Sequence, residues 1–331
     1  MRRPWLVLIL LCYWGVSCTR NFDKPDFWIY TSLYKDTLSA ITPLLEKKFP
    51  RVTFQWYQSG SENVAARVNA ELSSGRTQAD LLITSDPFWY VELRETGHLL
   101  NYETKVTRTS HFSEGNGAFV IQRVPVVVMG FNSEAIPKDQ APKSWRDLLD
   151  PKWKGKVSMG SPLESGTSFS TVAQLVQRWG WKYFQDLRKN EILSAGGNSA
   201  VVSRLETKER PIGIVLLENI LEARKRGSPI EAIYPSEGAI VIPGPIAIAS
   251  ATRHPELAKQ VYDYFLGPEI QGIIVHRAGM YSPVLVDETP KDALPFPTIL
   301  TSTFQWGDKK LVELFQQRND IKKRFTETVL N

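Results

Sequence analysis

The sequence predicts an α/β fold of two doubly wound lobes joined by a two-strand hinge. Three observations predict it. Short apolar runs alternate with helically spaced apolar residues from Phe27 onward, the pattern of βα units. The alternation restarts beyond Phe131, as it does when a second sheet is built. Two long apolar runs broken by proline, Phe119 to Phe131 and Ile240 to Ile248, stand far apart in the chain. At 331 residues the chain is long enough for two substantial cores.

Phe27 to Tyr30 reads as the first strand, and Leu38, Ile41, Leu44, Leu45 and Phe49 fall on one face of the helix that follows. Pro43 interrupts that helix, so Thr42 is expected to cap a second segment with Pro43 at its first position, where a missing N–H costs nothing. Val52 to Tyr57 alternates as a second strand. Val64, Val68 and Leu72 then recur at four-residue spacing, and Asp80 to Thr84 is a third strand. In the second lobe, Lys156 to Gly160 and Ile212 to Leu216 are strands. Phe169, Val172, Leu175, Val176 and Trp179 line one helix, and Val201, Val202 and Leu205 another. Pro255 opens a helix with Leu257, Val261 and Phe265 inward, and the tail from Trp306 to Leu330 is helical. The expected division is residues 1–18 as a leader, 26–123 with 246–331 as a discontinuous lobe 1, and 124–245 as lobe 2. Ligands of such sheets bind beyond the carboxyl ends of the strands, and closure about a two-strand hinge would bury one between lobes.

The first residues differ in kind. Met1-Arg2-Arg3 precedes an almost wholly apolar run from Trp5 to Trp14, ending near Gly15-Val16-Ser17-Cys18. This reads as a secretory signal, since a membrane span needs about 20 apolar residues. A small residue directly before Cys18 resembles the lipobox of bacterial lipoproteins, although lipoboxes usually carry Leu where this chain has Gly15. The alternative is an ordinary signal peptide with Cys18 incidental. Cys12, the other of the two cysteines, would leave with the leader. Cys18 would then have no disulfide partner, and diacylglycerol attachment gives it a use. Removing Arg2 and Arg3 as well lowers the 40 basic residues to 38 against 35 acidic ones, or +3. The basic residues are scattered without aromatic interleaving, so no nucleic-acid partner is expected.

The order of several short motifs resembles one branch of the bacterial extracellular solute-binding proteins. They are Tyr30-Thr31-Ser32, Ala70-Glu71 with Ala79-Asp80, and Glu95 to Leu100. Further on come Ser144-Trp145-Arg146-Asp147-Leu148, Trp153-Lys154-Gly155-Lys156, Ser165-Gly166-Thr167, Tyr234 to Gly238 and Tyr281-Ser282-Pro283-Val284. The branch is the one for iron(III), phosphorylated sugars and phosphonates, of the type II periplasmic-binding-protein-like fold. The resemblance implies a monomeric receptor in the cell envelope that hands a small solute to an ABC importer permease with its ATPase, held to the membrane surface by a lipid anchor at Cys18. A sensor presenting its ligand to a membrane histidine kinase is the alternative from another class.

Ser161 to Ser168 lies between a strand and an amphipathic helix. A helix start offers unpaired N–H groups and a partial positive charge to phosphate or carboxylate; Ser165, Gly166, Thr167 and Ser168 are therefore ligand candidates. One of these hydroxyls can instead be a cap. Ser59, Gly60 and Ser61 form a comparable start, with Ser59 and Glu62 spaced as a capping box; Asn198 and Ser199 form a third. The resemblance adds Thr31, Ser32 and Tyr34 after the first strand. Ser85 and Asp86 end the third, where Asp86 either meets the ligand or starts the turn at Pro87. Ferric-binding members use adjacent tyrosines where this chain reads Leu216-Leu217-Glu218-Asn219. An organic anion (phosphate, phosphonate or carboxylate) is thus expected ahead of ferric iron, with Glu218 and Asn219 contacting hydroxyl or amino groups and Tyr281 as a further contact. His98, His111, His254 and His276 are isolated, so no metal site, cofactor or catalytic constellation is expected.

Overall fold

The computed structural model describes residues 24–106, 116–300 and 308–331. The leader and Cys18 lie outside the described residues. In the first sheet, β1 (Asp26–Thr31) pairs in parallel with β2 (Thr53–Gln58) and β3 (Leu81–Ile83), joined through α1 (Lys35–Lys48) and α2 (Ser61–Ser73). Alternation along β1 explains both faces. Phe27 and Ile29 enter the core under α1, whereas Tyr30 enters the core under α2. Then α3 (Pro87–Glu95) leads to β4 (Val120–Arg123), still in the first sheet.

After Val124 and Pro125 the chain enters the second sheet as β5 (Val126–Asn132). That sheet adds β6 (Val157–Met159), β7 (Leu193–Ser194), β8 (Ile212–Leu216), β9 (Ile230–Ile233) and β10 (Ile240–Val241). Between its strands run α4 (Gly166–Trp179), α5 (Trp181–Lys189), α6 (Asn198–Glu206) and α7 (Leu217–Lys225). Ile242 and Pro243 carry the chain back into β11 (Gly244–Ile248), which lies antiparallel between β3 and β4. Both proline-broken apolar runs are therefore crossings between sheets. Proline, with no N–H to give a ladder, sits where each ladder ends.

The chain then forms α8 (Pro255–Leu266), α9 (Pro268–Gly272), α10 (Phe296–Leu300), α11 (Asp308–Gln316) and α12 (Arg318–Phe325). Two expectations need correction. Helix α1 runs unbroken through Pro43, and Thr42 donates its hydroxyl to the Leu38 carbonyl instead of capping a new segment. Proline within a helix costs about 3 kcal/mol. Leu38, Ile41 and Leu45 are buried on either side of it, each contributing about 1.5–3 kcal/mol, and together they offset that cost. The tail is also not confined to lobe 1. Helix α11 packs on α3, but Phe325 meets Phe184 of α5 edge-on at 5.4 Å and residues 326–330 lie against α5. The tail is a strap across both lobes.

Candidate functional site

A cavity of about 850 Å³ opens between the two sheets, and five helices begin at its wall. Tyr34 precedes α1, Gly60 precedes α2, Ser165 precedes α4, Gly197 precedes α6 and Leu216 precedes α7; all five line the cavity. This follows from doubly wound topology, in which each parallel strand delivers its helix at the same edge. Only α4 has a side-chain cap, with Ser165 Oγ accepting from the Ser168 N–H at 3.3 Å. The other four have none. Their first-turn N–H groups are left to water or to a guest.

Twelve of the fifteen predicted contacts line this cavity: Ser32, Tyr34, Ser59, Gly60, Ser61, Ser85, Ser165, Thr167, Asn198, Ser199, Glu218 and Asn219. Three do not. Tyr281 is buried in the crossing, its hydroxyl donating to the Leu294 carbonyl at 2.5 Å and its ring stacked on Phe296. Tyr281 itself forms the β-bridge with Val124, so both its backbone and its ring are used in packing against the crossing. Ser168, in the first turn of α4, is buried with its hydroxyl packed against Gly160. Gly166 is an interlobe contact, because a Cβ there would stand 2.9 Å from Asp86 Cβ and 3.1 Å from Ser61 Cβ. The capping-box expectation also fails. Ser59 Oγ accepts from Asn63, and Glu62 pairs instead with Arg318 and Lys322. Asn198 is not a cap either; it donates to Thr167 Oγ1 at 2.9 Å, and Thr167 is 2.9 Å from Ser165 Oγ. Asp86 does cap α3, accepting from the Trp89 N–H, and it also holds Arg318 at 2.6 Å.

The residue that the sequence reading missed is Arg123. It ends β4, is 1% exposed and lines the cavity. Its guanidinium donates to Ser32 Oγ at 3.2 Å, Ser85 Oγ at 3.0 Å and Gln122 Oε1 at 3.2 Å. Among the described residues no carboxylate pairs with it. Burial accordingly pushes its pKa down to about 10. With Arg123 occupying a lone pair on each serine, both hydroxyl protons are free to donate elsewhere. The signal was a charged residue inside an apolar crossing run.

Glu218 faces the same cavity from the first turn of α7, 3% exposed, with Oε2 unpartnered. Burial pushes its carboxyl up to about 8. Beside it, Asn219 Oδ1 accepts from the Tyr34 hydroxyl at 3.0 Å. That bond joins the two lobes across the mouth, as does Lys225 Nζ donating to the Arg277 carbonyl at 3.0 Å. The site is thus a chamber with convergent hydroxyls, uncapped helix starts and one buried cation.

Residues 79–311 match the model of a family described as bacterial extracellular solute-binding protein. The chain belongs to that family. A solute-binding protein of this kind works with an ABC permease and its ATPase. It is similar to a putative 2-aminoethylphosphonate-binding periplasmic protein of Salmonella typhi, 24% identical over 252 residues, which are 73% of this chain and 72% of the relative. An uncharacterized protein of Haemophilus influenzae is 28% identical over 275 residues, 78% of this chain and 77% of that one. Among solved structures, the fold matches the periplasmic binding protein AfuA of Actinobacillus pleuropneumoniae with fructose-6-phosphate bound. The TM-score is 0.81 at 21% identity, covering 93% of this chain and 99% of the other. Iron-bound HitA of Pseudomonas aeruginosa matches with a TM-score of 0.77 at 19% identity, covering 91% and 99%. The type II periplasmic-binding fold expected from the sequence is the fold observed. Among the described residues no helix is long and apolar enough to cross a membrane.

Proposed function

We propose that this solute-binding protein closes on a small organic anion, a phosphate, phosphonate or carboxylate, in the chamber between its lobes. The observation that carries the reading is Arg123, a buried guanidinium hydrogen-bonded only to neutral acceptors and open to the cavity. A buried charge is costly unless paired, and an anion arriving there supplies the partner through charge-assisted hydrogen bonds. Ser32 and Ser85 from one lobe and Ser165 and Thr167 from the other would donate to the same anion, together with the uncapped starts of α2 and α6. Val124-Pro125 and Ile242-Pro243 would serve as the hinge, and the Tyr34–Asn219 bond would hold the mouth shut.

Ferric iron is the weaker candidate. Tyr34 is the one phenol among the described residues lining the cavity, and its hydroxyl is engaged by Asn219. The test is thermal denaturation of the purified protein against organic phosphates, phosphonates, carboxylates and Fe(III). A solute at about 100 times its Kd adds roughly 2.7 kcal/mol of stability. Stabilisation by one anion class that disappears in Arg123→Met supports the reading. Stabilisation by Fe(III) alone, or an anion effect that survives the substitution, defeats it. Anchoring at Cys18 is part of the same proposal, and incorporation of labelled fatty acid that Cys18→Ala abolishes is the expected result.

A further inference from the structure

Arg123 and Glu218 are two buried groups of opposite sign in one cavity, and they are not paired with each other. Arg123 spends its donors on Ser32, Ser85 and Gln122, while Glu218 Oε2 has no hydrogen-bond partner among the described residues. Once ionised, Glu218 would repel a guest that is purely anionic. A guest carrying both signs removes that conflict, with its anion on Arg123 and its cation against Oε2. We propose that Glu218 is a specificity-determining residue that receives an ammonium group, so that the solute is an amino-bearing phosphonate or phosphate monoester and not a simple anion. This inference rests on the reading of the chamber as an anion site.

The surroundings of Glu218 supply no such partner from the described residues. Arg123 faces it from β4, Tyr34 from the start of α1 and Tyr281 from the segment beyond α9, while the backbone amides of Val126 and of Glu218 itself point toward its carboxyl. Glu222 and Arg277 line the same cavity. None of these supplies a cation within ion-pair reach of Oε2 among the described residues. A carboxyl held at about 8 by burial carries a proton at neutral pH when the chamber is empty. An ammonium docking on Oε2 favours the charged form and expels that proton. Binding of an amino-bearing solute is therefore coupled to release of nearly one proton at pH 7, and its affinity rises with pH toward about 8.

The test compares 2-aminoethylphosphonate with ethylphosphonate, which differ by the amino group alone. Calorimetric titrations of the wild-type protein and Glu218→Gln are made at about pH 8.5, where the phosphonate group of each probe is mainly doubly charged and the amino group of the first is still an ammonium. They are repeated at about pH 7 in two non-phosphate buffers of different ionisation enthalpy. In the wild type, 2-aminoethylphosphonate is expected to bind at least tenfold more tightly than ethylphosphonate. Glu218→Gln should erase that ratio by weakening the amino probe, with ethylphosphonate bound no more weakly than before, and should lose the proton release seen with the amino probe. Equal binding of the two probes to the wild type, or tighter binding of ethylphosphonate, overturns the inference and leaves the anion site standing. Binding of neither overturns both readings. The wild-type comparison and the proton count need no variant, so a poorly folding Glu218→Gln does not rescue the proposal.

Discussion

Two arginines near the interlobe contact, Arg123 fully buried and Arg318 with its side chain 11% exposed, live in opposite electrostatic circumstances. Arg123 touches only hydroxyls and an amide oxygen, and its pKa is pushed down by burial. Arg318 is also opposed by burial, but the carboxylates of Asp86 and Glu62, each at 2.6 Å, outweigh that and raise its pKa; its guanidinium also lies 5.4 Å from the centre of the Phe169 ring. A compensated buried charge is architecture. It fastens the C-terminal strap to lobe 1 through Asp86 and Glu62 and to lobe 2 through Phe169. An uncompensated one is, on the function proposed above, the partner kept for the solute's anion.

The comparison breaks most sharply at Arg318. Replacing it with Met strands Asp86, which is fully buried, without a counter-charge, and losing one partner of a buried pair costs about 3–5 kcal/mol. Urea denaturation is expected to register that loss in the unliganded protein. Solute affinity of the folded fraction should change far less. If Arg318→Met were stable and non-binding, the two arginines would have exchanged the roles assigned to them.

Arg123→Met is the complementary variant. Removing an unpaired buried charge leaves the unliganded protein as stable as before or slightly more so. The solute, however, loses two charge-assisted hydrogen bonds of about 1.5–3 kcal/mol each. Binding should weaken by about a hundredfold or more, read by calorimetry. The same logic applies to Glu218 with the sign worked through. Its folded pKa of about 8 lies above its unfolded value of about 4.3, so the native chain holds a proton that the unfolded chain has released. The stability of the empty protein therefore falls as pH rises between those two values. Glu218→Gln should flatten that slope in thermal scans.

This contrast also marks what could be read from residues alone. The βα alternation, both crossings and the helix starts are local patterns, and a period of two or 3.6 reports them without knowledge of the partner. The hydroxyls were legible because each sits directly before or at a helix opening. Arg123 was not, because its meaning depends on Ser32 and Ser85, 91 and 38 residues away. Glu62 looked like a cap for the same reason: its real partners, Arg318 and Lys322, lie more than 250 residues on. Tyr281 was placed in the site by its neighbours in sequence, yet a buried phenol is satisfied wherever a carbonyl is within reach, and Leu294 provided one. Charges across the interlobe gap are decided by tertiary packing, and no spacing rule encodes them.

Between the two arginines lies Gly166, and it tests whether the contact they flank is the closed state. A Cβ there collides with Asp86 and Ser61 of the other lobe. The overpacking penalty of roughly 1–3 kcal/mol would fall on the closed form alone. Gly166→Ala is expected to weaken solute binding by about five- to a hundredfold, with denaturation of the unliganded protein nearly unchanged. An equal loss of stability without solute would mean that the lobes rest in contact when empty.

The smallest effect is expected at the mouth. Tyr34→Phe removes only the hydroxyl that donates to Asn219 across the lobes, and one neutral hydrogen bond is worth about 0.5–1.5 kcal/mol. Affinity should fall by about three- to tenfold, carried by faster dissociation, since the bond ties one lobe to the other beside the chamber. Stopped-flow release of a bound anion distinguishes this from a direct contact. If Tyr34 touched the solute itself, the loss would depend on which anion is bound, whereas a latch weakens all of them by the same factor.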